Sequence, residues 1–334
     1  MSEVLKSLPV ELIQLVVGLI CLAALVGASA VLLVWMERKV AGHFQRRPGP
    51  FEVGPHGLLQ TVADAAKLIG KQLATPRGAD KILYWAAPFI AFLPVFVVML
   101  PIPWGETLMA LDVDLGLLLI LAFSGMGVIS LCLAGWGSNN KYGMLGAARA
   151  VSQSVAYEIP LLLSVLPIVF MTGSLSLSLV ASVQGTWPWD WLVVRQPLAF
   201  FIYFVCAVAE TNRAPFDLPE GESELTAGFH TEYSGMGFGL FFLAEYANMV
   251  VVSAVATTLF LGAWHGPGSD LLGGAVGVLW FMAKVVFLIF VMMWFRWTFP
   301  RVRFDQLLNI AWKWLIPLAL INLLITAVLI PLWR

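Results

Sequence analysis

What most constrains this chain is a series of apolar runs, each long enough to cross a bilayer and nearly free of charge. They fall at about 10–36, 82–101, 115–136, 151–172, 191–209, 237–263, 271–295 and 313–333. Crossing the hydrocarbon takes roughly 20 apolar residues as a helix. In lipid only helices and closed barrels satisfy their own backbone. Runs of this length without strict alternation predict helices. Only 12% of the 334 residues are charged and 60% are apolar, whereas a soluble domain carries about 25% charged residues. The expected fold is an all-α integral membrane protein with about eight transmembrane helices, forming one polytopic domain over residues 1–334. The first run is too long for a signal-peptide core and has no small-residue cleavage site, so it is expected to stay as a membrane helix.

Lys and Arg set the expected orientation. Of the 19 basic residues, 15 fall in alternate connections: Arg38 to Lys81, Lys141 and Arg149, Arg213, and Arg296 to Lys313. The positive-inside rule makes these the inside loops, at about 37–81, 137–150, 210–236 and 296–312, and places both termini outside. Net charge is −1, so no global field points to nucleic acid.

The first inside loop is patterned. Leu58, Val62, Ala66, Ile69 and Leu73 recur at helical spacing, opposite a stripe of Gln60, Asp64, Lys67 and Lys71. That pattern predicts an amphipathic helix in the membrane interface. A headgroup clamp explains its basic residues, but not Glu37 or Asp64 among them.

The third inside loop is acidic. Between Ala209 and Met236 lie Glu210, Asp217, Glu220, Glu222, Glu224 and Glu232, against one Arg213 and one His230. Phe216, Leu218, Leu225, Phe229 and Tyr233 are interleaved, which a merely solvated linker has little use for. Ionisable groups also enter the spans: Glu158, Glu245 and Lys284, with Glu210 at an inner end. Each costs about 2.5–3.5 kcal/mol to insert, so each is a functional hypothesis. Glu158 lies roughly 10 Å into its span at 1.5 Å per residue. A desolvated carboxylate holds a proton more readily, so these groups could relay protons. The competing structural reading is a single buried Glu–Lys pair holding helices together.

Signatures of soluble enzymes are absent from the sequence. It has no phosphate loop, dinucleotide fingerprint or H-E-x-x-H. Cys21, Cys132 and Cys206 are scattered through apolar runs, which suits neither a disulfide framework nor a metal site. His43, His56, His230 and His265 lack ligand spacing, and ordinary polar contacts explain each. Gly125-Met126-Gly127 reads as close helix packing.

AETNRAPFDLPEGESELTAGFHTEYSGM (209–236), followed by FGLFFLAEY, resembles the hallmark inside loop of one family. So do Glu37-Arg38-Lys39-Val40, Arg47-Pro48-Gly49-Pro50, GPHGLLQTVADAAKL (54–68), Ala148-Arg149-Ala150-Val151 with Tyr157-Glu158, and PRVRFDQL (300–307), all in the family's order. The family is that of the quinone-site membrane subunit of respiratory complex I, the bacterial H subunit and mitochondrial NADH dehydrogenase subunit 1. The resemblance covers essentially the whole chain.

It implies a subunit of a proton-pumping quinone oxidoreductase that is not catalytic alone. Glu37, Arg38, Arg47, Asp64, Lys67 and Phe229 would line or support the quinone chamber. Asp217, Glu220, Glu222 and Glu224 would respond to quinone reduction. Glu158, Glu210 and Glu245, with Arg149, Arg213 and Lys284, would belong to the coupling path. This chain would bind no cofactor, quinone being the substrate, while FMN and iron–sulfur clusters sit in partner subunits. The partners would be the peripheral-arm iron–sulfur and quinone-module subunits and the antiporter-like membrane subunits. The membrane would be a prokaryotic plasma membrane, or the respiratory inner membrane of a mitochondrion. The intact E-T-N-R-x-P-F-D loop favours the quinone-reducing branch over hydrogenase-linked relatives and leaves the donor open between NADH and ferredoxin. Other classes compete: an autonomous ion transporter using Glu158, Glu245 and Lys284, and a purely structural membrane anchor.

Overall fold

The computed structural model describes residues 2–219, 221, 224, 226–268 and 274–333, with side chains between 16 and 330. Among the described residues there are only helices, turns and extended connections. Seven helical segments among them are long and apolar enough to cross a membrane, and an eighth apolar helix, Pro197–Glu210, is shorter.

The first helix, α1, runs unbroken from Ser2 to Phe44. Glu37 and Arg38, expected in a loop, therefore ride on its last turns, and the first breakers are Pro48 and Gly49. A short 3-10 turn (Pro55–Gly57) leads into α2 (Gln60–Gly70), the expected amphipathic helix. Helix α3 (Lys81–Met99) starts where Asp80 Oδ1 accepts hydrogen bonds from the Ile82 and Leu83 amides at 3.0 and 3.4 Å. Such a cap satisfies two of the free donors at a helix start.

The third span, expected as one helix, divides at Gly125 into α4 (Gly116–Ser124) and α5 (Met126–Gly137). A Cβ at Gly125 would lie 3.3 Å from Glu158 Oε1, so the break admits a carboxylate. Gly127, in contrast, has open space around it. The expectation of helix packing at this pair is therefore replaced by a close approach to an acid at one glycine only. Helix α6 (Lys141–Thr172) is capped by Asn140, whose Oδ1 accepts from the Tyr142 amide at 3.0 Å. It begins early enough that Arg149 is helical rather than in a loop.

After α7 (Leu177–Ser182) the fifth span also breaks. A turn of helix, α8 (Leu192–Arg195), is followed by α9 (Pro197–Glu210), with Pro197 at its first position. The intervening Gln196 is buried; it donates to Thr326 Oγ1 at 2.9 Å and accepts from Asn322 at 3.0 Å. Helix α10 (Gly235–Phe260) is central, buried at every position from Met249 to Phe260. Helix α11 (Gly274–Thr298) follows. The last span begins earlier than expected, as α12 (Phe304–Asn309), passes through a π turn at Ile310–Leu315, and ends as α13 (Ile316–Trp333).

Helices cannot gain from burying apolar surface against one another in lipid, so close packing and internal hydrogen bonds hold the bundle. Gly146 on α6 is one such contact: a Cβ there would meet the Gly228 Cα at 2.7 Å. The acidic loop thereby seats on α6. Tyr157, buried on the same helix, donates to the Leu307 carbonyl at 3.1 Å and ties α6 to α12.

Candidate functional site

At the end of the bundle that carries the basic connections, four chain segments meet in one buried ionic network. Glu37 of α1 accepts from Arg213 Nη1 and from the Tyr246 hydroxyl, each at 2.6 Å, through Oε2. Its Oε1 accepts from Arg296 of α11. Arg213 Nε lies 2.5 Å from Glu245 Oε1, and the guanidinium sits 4.4 Å from the Tyr246 ring centroid. Burial opposes the Arg213 charge, but Glu245 and Glu37 outweigh it and raise the group well above its ordinary pKa. Two guanidinium groups against two carboxylates leave the cluster formally neutral. Removing one partner would strand a buried charge.

Beside this network is a cavity of about 150 Å³. Three of its lining residues are Glu158 of α6, Glu210 at the end of α9 and Glu245 of α10; Asn212, Phe229 and His230 line it too. The three intramembrane carboxylates, distant in sequence, thus face one space. Glu245 belongs to both features, since one oxygen contacts Arg213 while the residue lines the cavity. Burial pushes the neighbouring His230 down to about 4, which keeps the imidazole neutral.

A second, more exposed cluster joins α1 to α2. Arg38 Nη1 donates to Asp64 Oδ2 at 2.6 Å, Gln60 donates to Oδ1 at 3.1 Å, and Lys67 lies 4.0 Å away. Slight burial works against the Asp64 charge, yet the bonds from Arg38 and Gln60 and the attraction of Arg38 and Lys67 hold it below the usual aspartate value. Adjacent residues on a helix point about 100° apart. Glu37 and Arg38 accordingly serve different clusters.

The remaining candidates scatter. Arg47 is exposed and bonds Gln45 at 2.6 Å. Arg149 pairs with Glu224 at 2.5 Å; that bond and the charge of Arg301 keep Glu224 ionised. Asp217 is half-buried on the same loop. Glu220 and Glu222 lie outside the described residues. Phe229, grouped with Asp64 in the sequence, instead lines the cavity and packs edge-on against Phe241, with centroids 5.4 Å apart.

Lys284 is elsewhere. Its ammonium donates to the carbonyls of Leu261 (2.6 Å), Ala263 (3.0 Å) and His265 (2.6 Å), and lies 4.1 Å from the Trp191 ring centroid. It caps the far end of α10 and gives its hydrogen bonds to backbone. Among the described residues, the pairs that hold helices together through Glu37 and Glu245 use arginine instead.

Sequence reasoning misses Arg296, Tyr246 and His230. Along the chain Arg296 counts only as a topological charge. Tyr246 adjoins Glu245, and that adjacency is its one available signal. Among the described residues no group of three or more His, Cys, Asp or Glu side chains forms a candidate metal site.

Comparison with known proteins gives one consistent answer. A family model described as NADH dehydrogenase matches residues 16–327. The chain is 50% identical over 315 residues to the H subunit of the NADH-quinone oxidoreductase of Dehalococcoides mccartyi, covering 94% of this chain and 86% of that one. It is 49% identical over 325 residues to the corresponding H subunit of Desulfotalea psychrophila, covering 95% and 96%. The H subunit of Protochlamydia amoebophila is 46% identical over 308 residues, covering 90% and 92%.

Proposed function

The chain belongs to the NADH dehydrogenase family, and from that premise we propose that it is the membrane subunit that couples quinone reduction to proton movement in an NADH-quinone oxidoreductase. It is a multi-pass membrane protein and acts as part of a multisubunit oxidoreductase rather than alone. Electrons would come from NADH through FMN and iron–sulfur clusters in partner subunits, and antiporter-like membrane subunits would receive the coupling signal. The basic end of the bundle would face the cytoplasm of a prokaryotic cell, with both termini on the other side.

The observation that carries this reading is the gathering of Glu158, Glu210 and Glu245 on one cavity, with Glu245 also joined to Arg213 and, through it, to Glu37. Reducing a quinone to a quinol consumes protons and electrons together. The quinone head-group would be received beside the Arg38–Asp64 cluster, with Arg47 and Lys67 at its basic rim. Proton uptake there changes local charge. The acidic loop, tied to α6 by Arg149–Glu224, would respond and bias the Glu37–Arg213–Glu245 network. A displaced Arg213 would alter the charge balance at Glu245, and a proton could then pass among the cavity carboxylates. Each carboxylate would give up its proton as the next accepts one, so the relay leaves no net charge behind. Phe229 and the apolar walls keep the cavity's dielectric low, which magnifies small charge changes. Lys284, held by carbonyls at the opposite end of α10, has no evident part in the relay.

The test compares Glu158→Gln, Glu210→Gln and Glu245→Gln in the intact complex. The reading expects lower proton translocation with electron transfer from NADH to a soluble-arm acceptor preserved. Normal quinone turnover and normal proton translocation in all three variants would return the carboxylates to a structural role.

A further inference from the structure

The sharp turn after α9 carries Glu210 to the cavity and Arg213 to the ionic network within four residues. Something must hold that turn, and the geometry points to Gln153 of α6. Its side chain has no solvent exposure. Its Nε2 donates to the Ala209 carbonyl at 2.7 Å and the Phe216 carbonyl at 2.8 Å, and approaches Asn212 Oδ1 at 3.3 Å. One amide thus bridges both ends of the segment 209–216. Two backbone carbonyls can only accept, so the amide's orientation is fixed: nitrogen toward the turn, oxygen away. Gln153 Oε1 finds no hydrogen-bond partner among the described residues.

The turn needs such a clamp. Asn212, a non-glycine residue, sits at φ 52, in the left-handed region, where side chains pay a steric cost. It also lines the cavity. The helix that presents Gln153 presents Glu158 five residues later. One rigid element therefore sets the position of Glu158 directly and that of Glu210 and Arg213 through the clamp. Gln153 is a positioning residue for the proton relay, and this assignment rests on the relay reading above.

Gln153→Met keeps the volume of the side chain and removes the donor. In the intact complex, coupled quinone reduction should fall at least about tenfold, because the Ala209 and Phe216 carbonyls both lose their donor. Protons moved per quinone reduced should fall with it, while NADH oxidation by a soluble-arm acceptor is unchanged. A merely structural role would lower the amount of assembled complex and leave that ratio intact. Gln153→Asn retains the amide with a shorter reach. It gives the same ratio test should the methionine variant fail to assemble, and an intermediate ratio supports the clamp. A wild-type ratio in either assembled variant overturns it. Glu210→Gln, measured alongside, separates the two ideas. A lowered ratio there with a normal one at Gln153 removes the clamp alone, and a normal ratio in Glu158→Gln, Glu210→Gln and Glu245→Gln alike removes the relay.

Discussion

Glu37 and Arg213, 176 positions apart in the chain, are joined by a 2.6 Å hydrogen-bonded ion pair in which both side chains are buried. The pair ties the last turns of α1 to the turn after α9, and Arg296 brings in α11. Burying two charges recovers little net energy, but removing one of a satisfied pair is costly because the other is left stranded.

Glu37→Ala should therefore destabilise the chain by about 3–5 kcal/mol, because Arg213 and Arg296 both lose a carboxylate. Quantifying the subunit retained in membranes, against wild type, checks this. Retention at the wild-type level would mean that water or Glu245 replaces the missing acid.

Asp64→Asn should impair quinone reduction while electron transfer to a soluble-arm acceptor continues. Its pH behaviour has a definite sign. The folded carboxyl is held below its ordinary value by Arg38 and Gln60, so the link is present above the unfolded value of about 3.9 and is lost as pH falls through the lower, folded one. Quinone turnover between pH 5 and 8 should show no titration attributable to Asp64, and a break in that range that vanishes in Asp64→Asn would contradict the assignment.

His230 makes the opposite-looking prediction for an imidazole. Burial lowers it to about 4, so between about 6.5 and about 4 the folded state binds fewer protons than the unfolded one. Stability rises with pH across that window and is lost as the medium becomes more acid. Thermal inactivation midpoints of the complex at pH 5 and 7 should converge in His230→Asn. An unchanged difference between the two pH values would place the histidine in water.

Gly146→Ala should unseat the acidic loop. The added methyl would lie 2.7 Å from the Gly228 Cα, against the Gly228–Phe229 backbone, and overpacking of this kind costs about 1–3 kcal/mol. Faster proteolysis within the loop, compared with Gly127→Ala, where space is open, is the expected readout.

The helical membrane fold, the amphipathic α2 and the acidic loop were all legible in the residues, because each is a matter of hydropathy and period along the chain. Helix interruptions were less so. What the breaks meet lies across the bundle: a carboxylate on α6 beside Gly125, and Asn322 and Thr326 on α13 bonded to Gln196. The candidate site divided differently from the expected grouping for the same reason. Glu37 and Arg38 are neighbours in sequence, yet helical geometry turns them to different partners, and Lys284 faces the end of α10 opposite the glutamates.

By itself, then, the sequence determined that the chain lives in a membrane as helices, which of its ends is basic, and which carboxylates are costly enough to need a reason. Those properties follow from transfer energies and from periodicity, which are local. Only the tertiary structure decided that Glu158, Glu210 and Glu245 share a cavity, that Glu37 answers to Arg213 and Arg296, and that Gln153 spans the turn between them. Hydrogen bonds and ion pairs act over about 3 Å, and which groups come that close depends on how rigid helices cross, information that no single segment contains.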